Sequence, residues 1–143
     1  MQWNAWADEK LAALMYPNIT RTYAEAWQAF DYLDDVEEFG PVDKLLIRVV
    51  GAAAMRFAAS KIKTKHGIED ERKALYAAAE LWVGELGGRR FRGGDAFPDL
   101  SDLAVFGVFE AVRDCGSVHK DVFERHPELR RWFDDVAKLV PKD

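Results

Sequence analysis

Thiol chemistry is almost absent from this chain: its 143 residues include a single cysteine, Cys115. An intrachain disulfide, a thiolate metal cluster and a Cys-x-x-Cys redox pair each need more than one, so all three are excluded. Histidine is nearly as scarce. His66, His119 and His126 stand far apart, none has a second ligand at helical spacing, and no metal site is expected. Basic charge is not in excess: 20 Lys and Arg against 25 Asp and Glu leave a formal net charge of −5. That balance argues against a nucleic-acid partner or an anionic-membrane surface. No apolar run approaches the roughly 20 residues of a membrane-spanning helix. The longest, Val49 to Met55, lies between Arg48 and Arg56. Met1-Gln2-Trp3-Asn4 lacks the basic and apolar regions of a signal peptide. Gly93-Gly94 follows no strand pattern and precedes no Lys-Ser/Thr, so there is no phosphate loop, and no nucleophile elbow occurs. A soluble protein of an intracellular, reducing compartment is expected, its organelle unassigned.

What is present is apolar bulk. Hydrophobic residues make up 49% and aromatics 13% of the chain, enough for one packed domain over residues 1–143. The apolar spacing is helical almost throughout, and the expected fold class is an all-α helical bundle without strands or repeats. Trp3 to Met15 forms a first helix, with Pro17-Asn18 as its stop. Thr22-Tyr23-Ala24-Glu25 is a capping box opening a helix with Trp27, Phe30 and Leu33 on its apolar side. Pro41 sits at the first turn of the longest helix, from about Val42 to Lys65. Its expected inward face carries Leu45, Leu46, Val49, Val50, Ala53, Phe57, Ala58 and Ile62, and His66-Gly67 ends it. Further helices are expected from about Glu69 to Leu86, from Asp99 to about Arg113, from Val118 to Arg125 and from Pro127 to about Leu139.

Asp99 and Asp102 carry the sharpest local signal. Asp99 is placed to cap the N–H three residues on while Asp102 reaches back to the N–H of Asp99, a capping box written with two carboxylates. The helix behind it is nearly free of charge, which places the box deep in the fold. Three other groups are candidates for contact or binding. Lys61 and Lys65 are i,i+4 neighbours at the end of the long helix, where they complement its dipole or hold one carboxylate or phosphate between them. Arg89, Arg90 and Arg92 surround Phe91 in the loop RRFRGGDA, either solvated or in an interdomain or partner contact. Gly51-Ala52-Ala53-Ala54 clears every face of the long helix for one turn, for close packing within the chain or, through Gly51 and Ala54, for an interface with another domain or subunit. No catalytic residue is identified. Cys115 lies beside Asp114 rather than a base, and His66 and His126 read as helix-end residues.

The Asp99 box followed by His126-Pro127-Glu128-Leu129-Arg130-Arg131-Trp132 resembles the C-terminal helical domain of glutathione transferases. The ordered series Trp6-Ala7-Asp8, Tyr16 to Thr22, Ala26 to Tyr32, Phe39-Gly40, Gly51 to Met55, Lys63 to His66 and Phe97 to Gly107 narrows this to the C-terminal domain of the type-2 prostaglandin E synthase family. That resemblance implies a thioredoxin-like (glutaredoxin-like) domain as the partner of this one, as well as dimers. It also implies glutathione and a catalytic Cys-x-x-Cys in the thioredoxin-like half, a cleft that a glutathione–haem complex can occupy, and isomerisation of prostaglandin H to prostaglandin E in the animal enzymes. Lys61 and Lys65 correspond to basic residues near that cleft, so these two are the cofactor-binding candidates. Ala13 and Tyr16 fall where the animal enzymes place a histidine and a serine facing the cofactor. Without a sheet or dithiol of its own, the chain is expected to bind no cofactor alone and to be inactive alone. It then forms the wall of a site completed by another domain. The alternative is a non-catalytic interaction or structural subunit of a larger assembly that keeps the same helical fold.

Overall fold

A computed structural model describes residues 1–141. Helix α1 (Trp3–Trp6) runs through a π-helical turn, Ala7–Leu11, into α2 (Ala12–Ile19). Trp3, Ala7, Leu11 and Met15, spaced by four, are all buried on one line. In a regular α-helix that spacing drifts by about 40° per step, and the wider π turn counteracts the drift. Pro17 does not stop this helix, contrary to expectation: it is internal, and the helix ends two residues later at Ile19. Side chains substitute for the weakened ladder. Thr20 Oγ1 donates to the Tyr16 carbonyl at 2.8 Å, and Asn18 Nδ2 donates to Leu14 O and Glu71 O, both at 2.8 Å. Asn18 and Thr20 are fully buried, so the end of α2 is bolted to the start of the fifth helix.

The Thr22 box forms as read and starts α3 (Tyr23–Gln28). That helix is shorter than its apolar pattern suggests: Leu33 is buried from a 3₁₀ segment, Asp31–Asp35. Helix α4 (Pro41–His66) has Pro41 in its first turn and ends at left-handed Gly67; α5 (Glu71–Leu86) ends the same way at Gly87. Then come α6 (Leu100–Glu110), α7 (Val118–Arg125) and α8 (Pro127–Ala137). Among the described residues there is no strand, only an isolated bridge between Phe91 and Gly94. The all-α reading holds.

The core joins the first helical stretch to α5, α6, α7 and α8, with the ring centroids of Trp3 and Trp132 each 5.3 Å from that of Trp82, edge to face. Helices α3 and α4 contribute nothing to it; they form an arm laid against α2. Here the expected inward face of α4 is wrong. Leu45, Leu46, Val49, Val50 and Phe57 are 46–65% exposed, Ala53 is exposed, and Ala58 and Ile62 are only half-buried. The buried line is Ala52 and Ala59 instead. Arg48 fixes this rotation: it pairs with Asp31 at 3.0 Å and Asp34 at 2.8 Å and lies over the Trp27 ring, on the side of α4 that meets α3. Gly51 fits the same side, because a Cβ there would stand 2.3 Å from the Phe30 ring. Helix α6 is likewise open on one side. It buries Ser101, Asp102, Val105, Phe106 and Phe109, while Phe97, Leu100, Leu103 and Gly107 remain exposed.

Candidate functional site

The most highly organised polar structure is the start of α6. Asp99 Oδ1 accepts from Ser101 N at 2.8 Å and Asp102 N at 3.0 Å, and Asp102 Oδ2 accepts from Asp99 N at 2.8 Å. Asp102 goes well beyond its own helix: it also takes the N–H groups of Arg92 (2.9 Å) and Gly93 (3.1 Å) and the indole N–H of Trp132 (2.9 Å). One carboxylate with no solvent exposure thus ties a loop, α6 and α8 together. Burial would raise the pKa of Asp99, but the Asp102 N–H, the Arg92 guanidinium and the Ser101 N–H hold it below the usual aspartate range. This site is architectural, since its acceptor atoms are committed to fixed donors.

The RRFRGGDA loop is not a solvated loop. Phe91 is fully buried. Arg89 caps the end of α5 through the carbonyls of Leu86 (2.9 Å) and Glu85 (2.6 Å). Arg90 reaches Asp135 at 3.2 Å, and Arg92 pairs with Glu85 at 3.3 Å and with Asp99. All three arginines are therefore engaged within the chain. Gly93 is obligatory here: a Cβ would lie 2.9 Å from Asp99 Cβ.

Where α4 passes the end of α2 and the start of α5, a cleft of about 490 Å³ opens, lined by Arg21, Arg56, Ser60, Lys63, Thr64 and Glu71 among others. Much of its charge is already used. Lys63 Nζ sits 2.6 Å from Glu71 Oε2, and Arg56 donates to the carbonyls of Thr20 (3.0 Å) and Arg21. The fold gathers these residues from distant positions, and no sequence motif announces them; the Lys63 that lines the cleft lies between the two lysines singled out by spacing. Lys61 and Lys65 are exposed and do not line this cleft; Lys61 Nζ stands 4.9 Å from the Phe57 ring centroid. Ala13 lines a neighbouring cleft of about 350 Å³ with Lys10, His66 and Glu69. Its methyl group offers no ligand atom to haem iron. Tyr16 is half-buried, its hydroxyl pKa raised by burial. Of the two positions matched to the family's cofactor-facing residues, Ala13 therefore supplies no ligand atom and Tyr16 carries a phenolic oxygen.

The molecule so described is an all-α bundle pinned by a doubly acidic helix start, with apolar faces open on α4 and α6. No family model matches it. Over 142 residues, 98% of the chain, it is 40% identical to prostaglandin E synthase 2 of Mus musculus, and 36% identical over the same length to that of Danio rerio. It spans about a third of those proteins, 36% and 37% of their lengths. The chain is thus a homologue of part of prostaglandin E synthase 2, matched along nearly its whole length. No helix among the described residues is long and apolar enough to cross a membrane.

Proposed function

We propose that this chain is the C-terminal helical part, with a glutathione-transferase-like arrangement, of a prostaglandin E synthase 2-like protein, and that it forms one wall of a site completed by a thioredoxin-like domain. The 40% identity along 98% of the chain carries this reading. The open face of α6 supports it physically. Leu100, Leu103 and Gly107, with Phe97 before them, form a charge-free strip beside the core, suited to an apolar domain contact. Glutathione and the dithiol belong to the partner half in this reading. Lys61 and Lys65 supply at most an outlying positive charge, and isomerisation of prostaglandin H to prostaglandin E requires both halves.

Adding the separately produced thioredoxin-like domain of a relative tests the idea. Titration calorimetry should detect association, and glutathione binding and isomerase activity should appear only in the mixture. Leu103→Glu should abolish association while far-UV circular dichroism stays unchanged, because Leu103 is 42% exposed. Absence of association, or full glutathione binding by this chain alone, refutes the proposal.

A further inference from the structure

The cleft of about 490 Å³ between the end of α2, α4 and the start of α5 carries charge that runs against that of the chain. Arg21, Arg56 and Lys63 line it against Glu69 and Glu71, an excess of cations in a protein of net charge −5. None of Ala13, Tyr16, Lys61 and Lys65 lines it. The cleft is therefore separate from the positions that the family resemblance singled out.

Its internal contacts do not exhaust its donors. Arg56 reaches the carbonyls of Thr20 (3.0 Å) and Arg21, both from Nη1, which fixes the guanidinium and leaves Nε and Nη2 without a partner among the described residues. Arg21 is exposed and forms no ion pair among the described residues. Lys63 gives one proton to Glu71 at 2.6 Å and keeps the rest, and the Ser60 hydroxyl beside it is exposed. Glu71, by contrast, is committed. Burial would raise its carboxyl, but Lys63, its own N–H and then the Arg21 charge hold it below the usual glutamate range. Glu69 is left as the carboxylate that opposes an anion. Buried Pro17 and Ala59, with half-buried Ile68, supply an apolar side.

We infer that this cleft binds a small organic phosphate monoester. Arg21 and Arg56 are its guanidinium contacts, Lys63 and Ser60 are further donors, and Pro17, Ala59 and Ile68 meet its carbon body. A phosphate monoester is close to a dianion at neutral pH and offers three terminal oxygens. Two planar guanidinia can share those oxygens in paired N–H bonds, whereas a carboxylate saturates one guanidinium. The volume falls in the range of small-molecule sites and leaves room beyond the phosphoryl group. A ligand held there joins α4 to the end of α2, and so fastens the arm to the body. The site needs neither the thioredoxin-like domain nor the α6 contact, so it can fail alone.

Titration of the 143-residue chain with phenyl phosphate, followed by amide chemical shifts, tests the site. Saturable shifts centred on Arg21, Arg56, Ser60 and Lys63 are expected, with a Kd below about 1 mM. Arg21→Ala should weaken binding about tenfold or more, a loss of about 1.4 kcal/mol, with Tm unchanged because that side chain is exposed and unpaired. Lys61→Ala combined with Lys65→Ala should leave binding as it was. Absence of saturable shifts, or binding indifferent to Arg21→Ala, overturns the inference. Loss of binding in the double lysine variant places the ligand elsewhere and overturns it as well. Benzoate binding as tightly as phenyl phosphate refutes the choice of a phosphoryl group. Inorganic phosphate binding as tightly refutes an organic ligand and leaves an adventitious ion only.

Discussion

Removing the Asp102 carboxylate should destabilise the chain strongly, and the cost follows from the donors it leaves behind. Asp102→Ala strands four N–H groups: those of Asp99, Arg92, Gly93 and the Trp132 indole. A buried donor without an acceptor costs about 1–3 kcal/mol. The Arg92 and Gly93 amides lie in a partly exposed loop, where water entering the vacated space can recover them. The Asp99 amide and the buried indole cannot be reached so readily. The expected loss is therefore about 2–6 kcal/mol, a large share of the roughly 5–15 kcal/mol that holds a domain folded. Asp99→Ala removes a cap whose side chain is partly exposed, and should cost about 0.5–2 kcal/mol. Urea unfolding of both variants, followed by tryptophan fluorescence and far-UV circular dichroism, gives the two losses side by side. Equal and small losses would refute the claim that Asp102 joins α6, α8 and the arginine loop.

Gly93→Ala should destabilise by about 1–3 kcal/mol through overpacking against Asp99, read as a lower urea midpoint. Gly51→Ala should push on the Phe30 ring and speed amide hydrogen exchange in α3 and the flanking half of α4, leaving the protected amides of α5 and α6 unaffected. His119 lies edge-on to Phe123 and Phe133, with centroids at 4.1 and 5.1 Å, and burial followed by the Arg113 charge lowers its pKa below the ordinary 6.5. The unfolded chain therefore binds this proton more readily, and the stability it contributes above pH 6.5 is lost as pH falls through the folded-state value. Stability measured from pH 7.5 to 5 should decline in the parent and decline less in His119→Phe; an identical slope would refute the assignment.

Helix ends were legible because their determinants are local. Thr22 with Glu25, Asp99 with Asp102, Pro41 and Pro127 in first turns, and Gly67 and Gly87 after last turns all act within a few residues, and each appears where its sequence places it. Pro17 misled because buried Asn18 and Thr20 donate to the Leu14 and Tyr16 carbonyls around it, and Asn18 donates also to the Glu71 carbonyl, fifty-three positions away. Lys61 and Lys65 were singled out by their spacing and by the family resemblance, whereas the cleft nearby draws Arg21, Arg56 and Glu71 from three separate segments, which no local pattern announces. The resemblance to type-2 prostaglandin E synthases rested on an ordered series of short matches, which is why it could be read without coordinates.

By itself, the sequence determined that the chain is helical, where most helices start and stop, and which protein it resembles, since hydrogen bonding at a helix end and apolar spacing are short-range properties. Only the tertiary structure decided which side of α4 is buried. That helix is apolar on both faces, so periodicity cannot choose between them. The choice comes from Arg48 and Gly51, whose partners Asp31, Asp34 and Phe30 lie across a turn of the chain and turn the large apolar side chains outward.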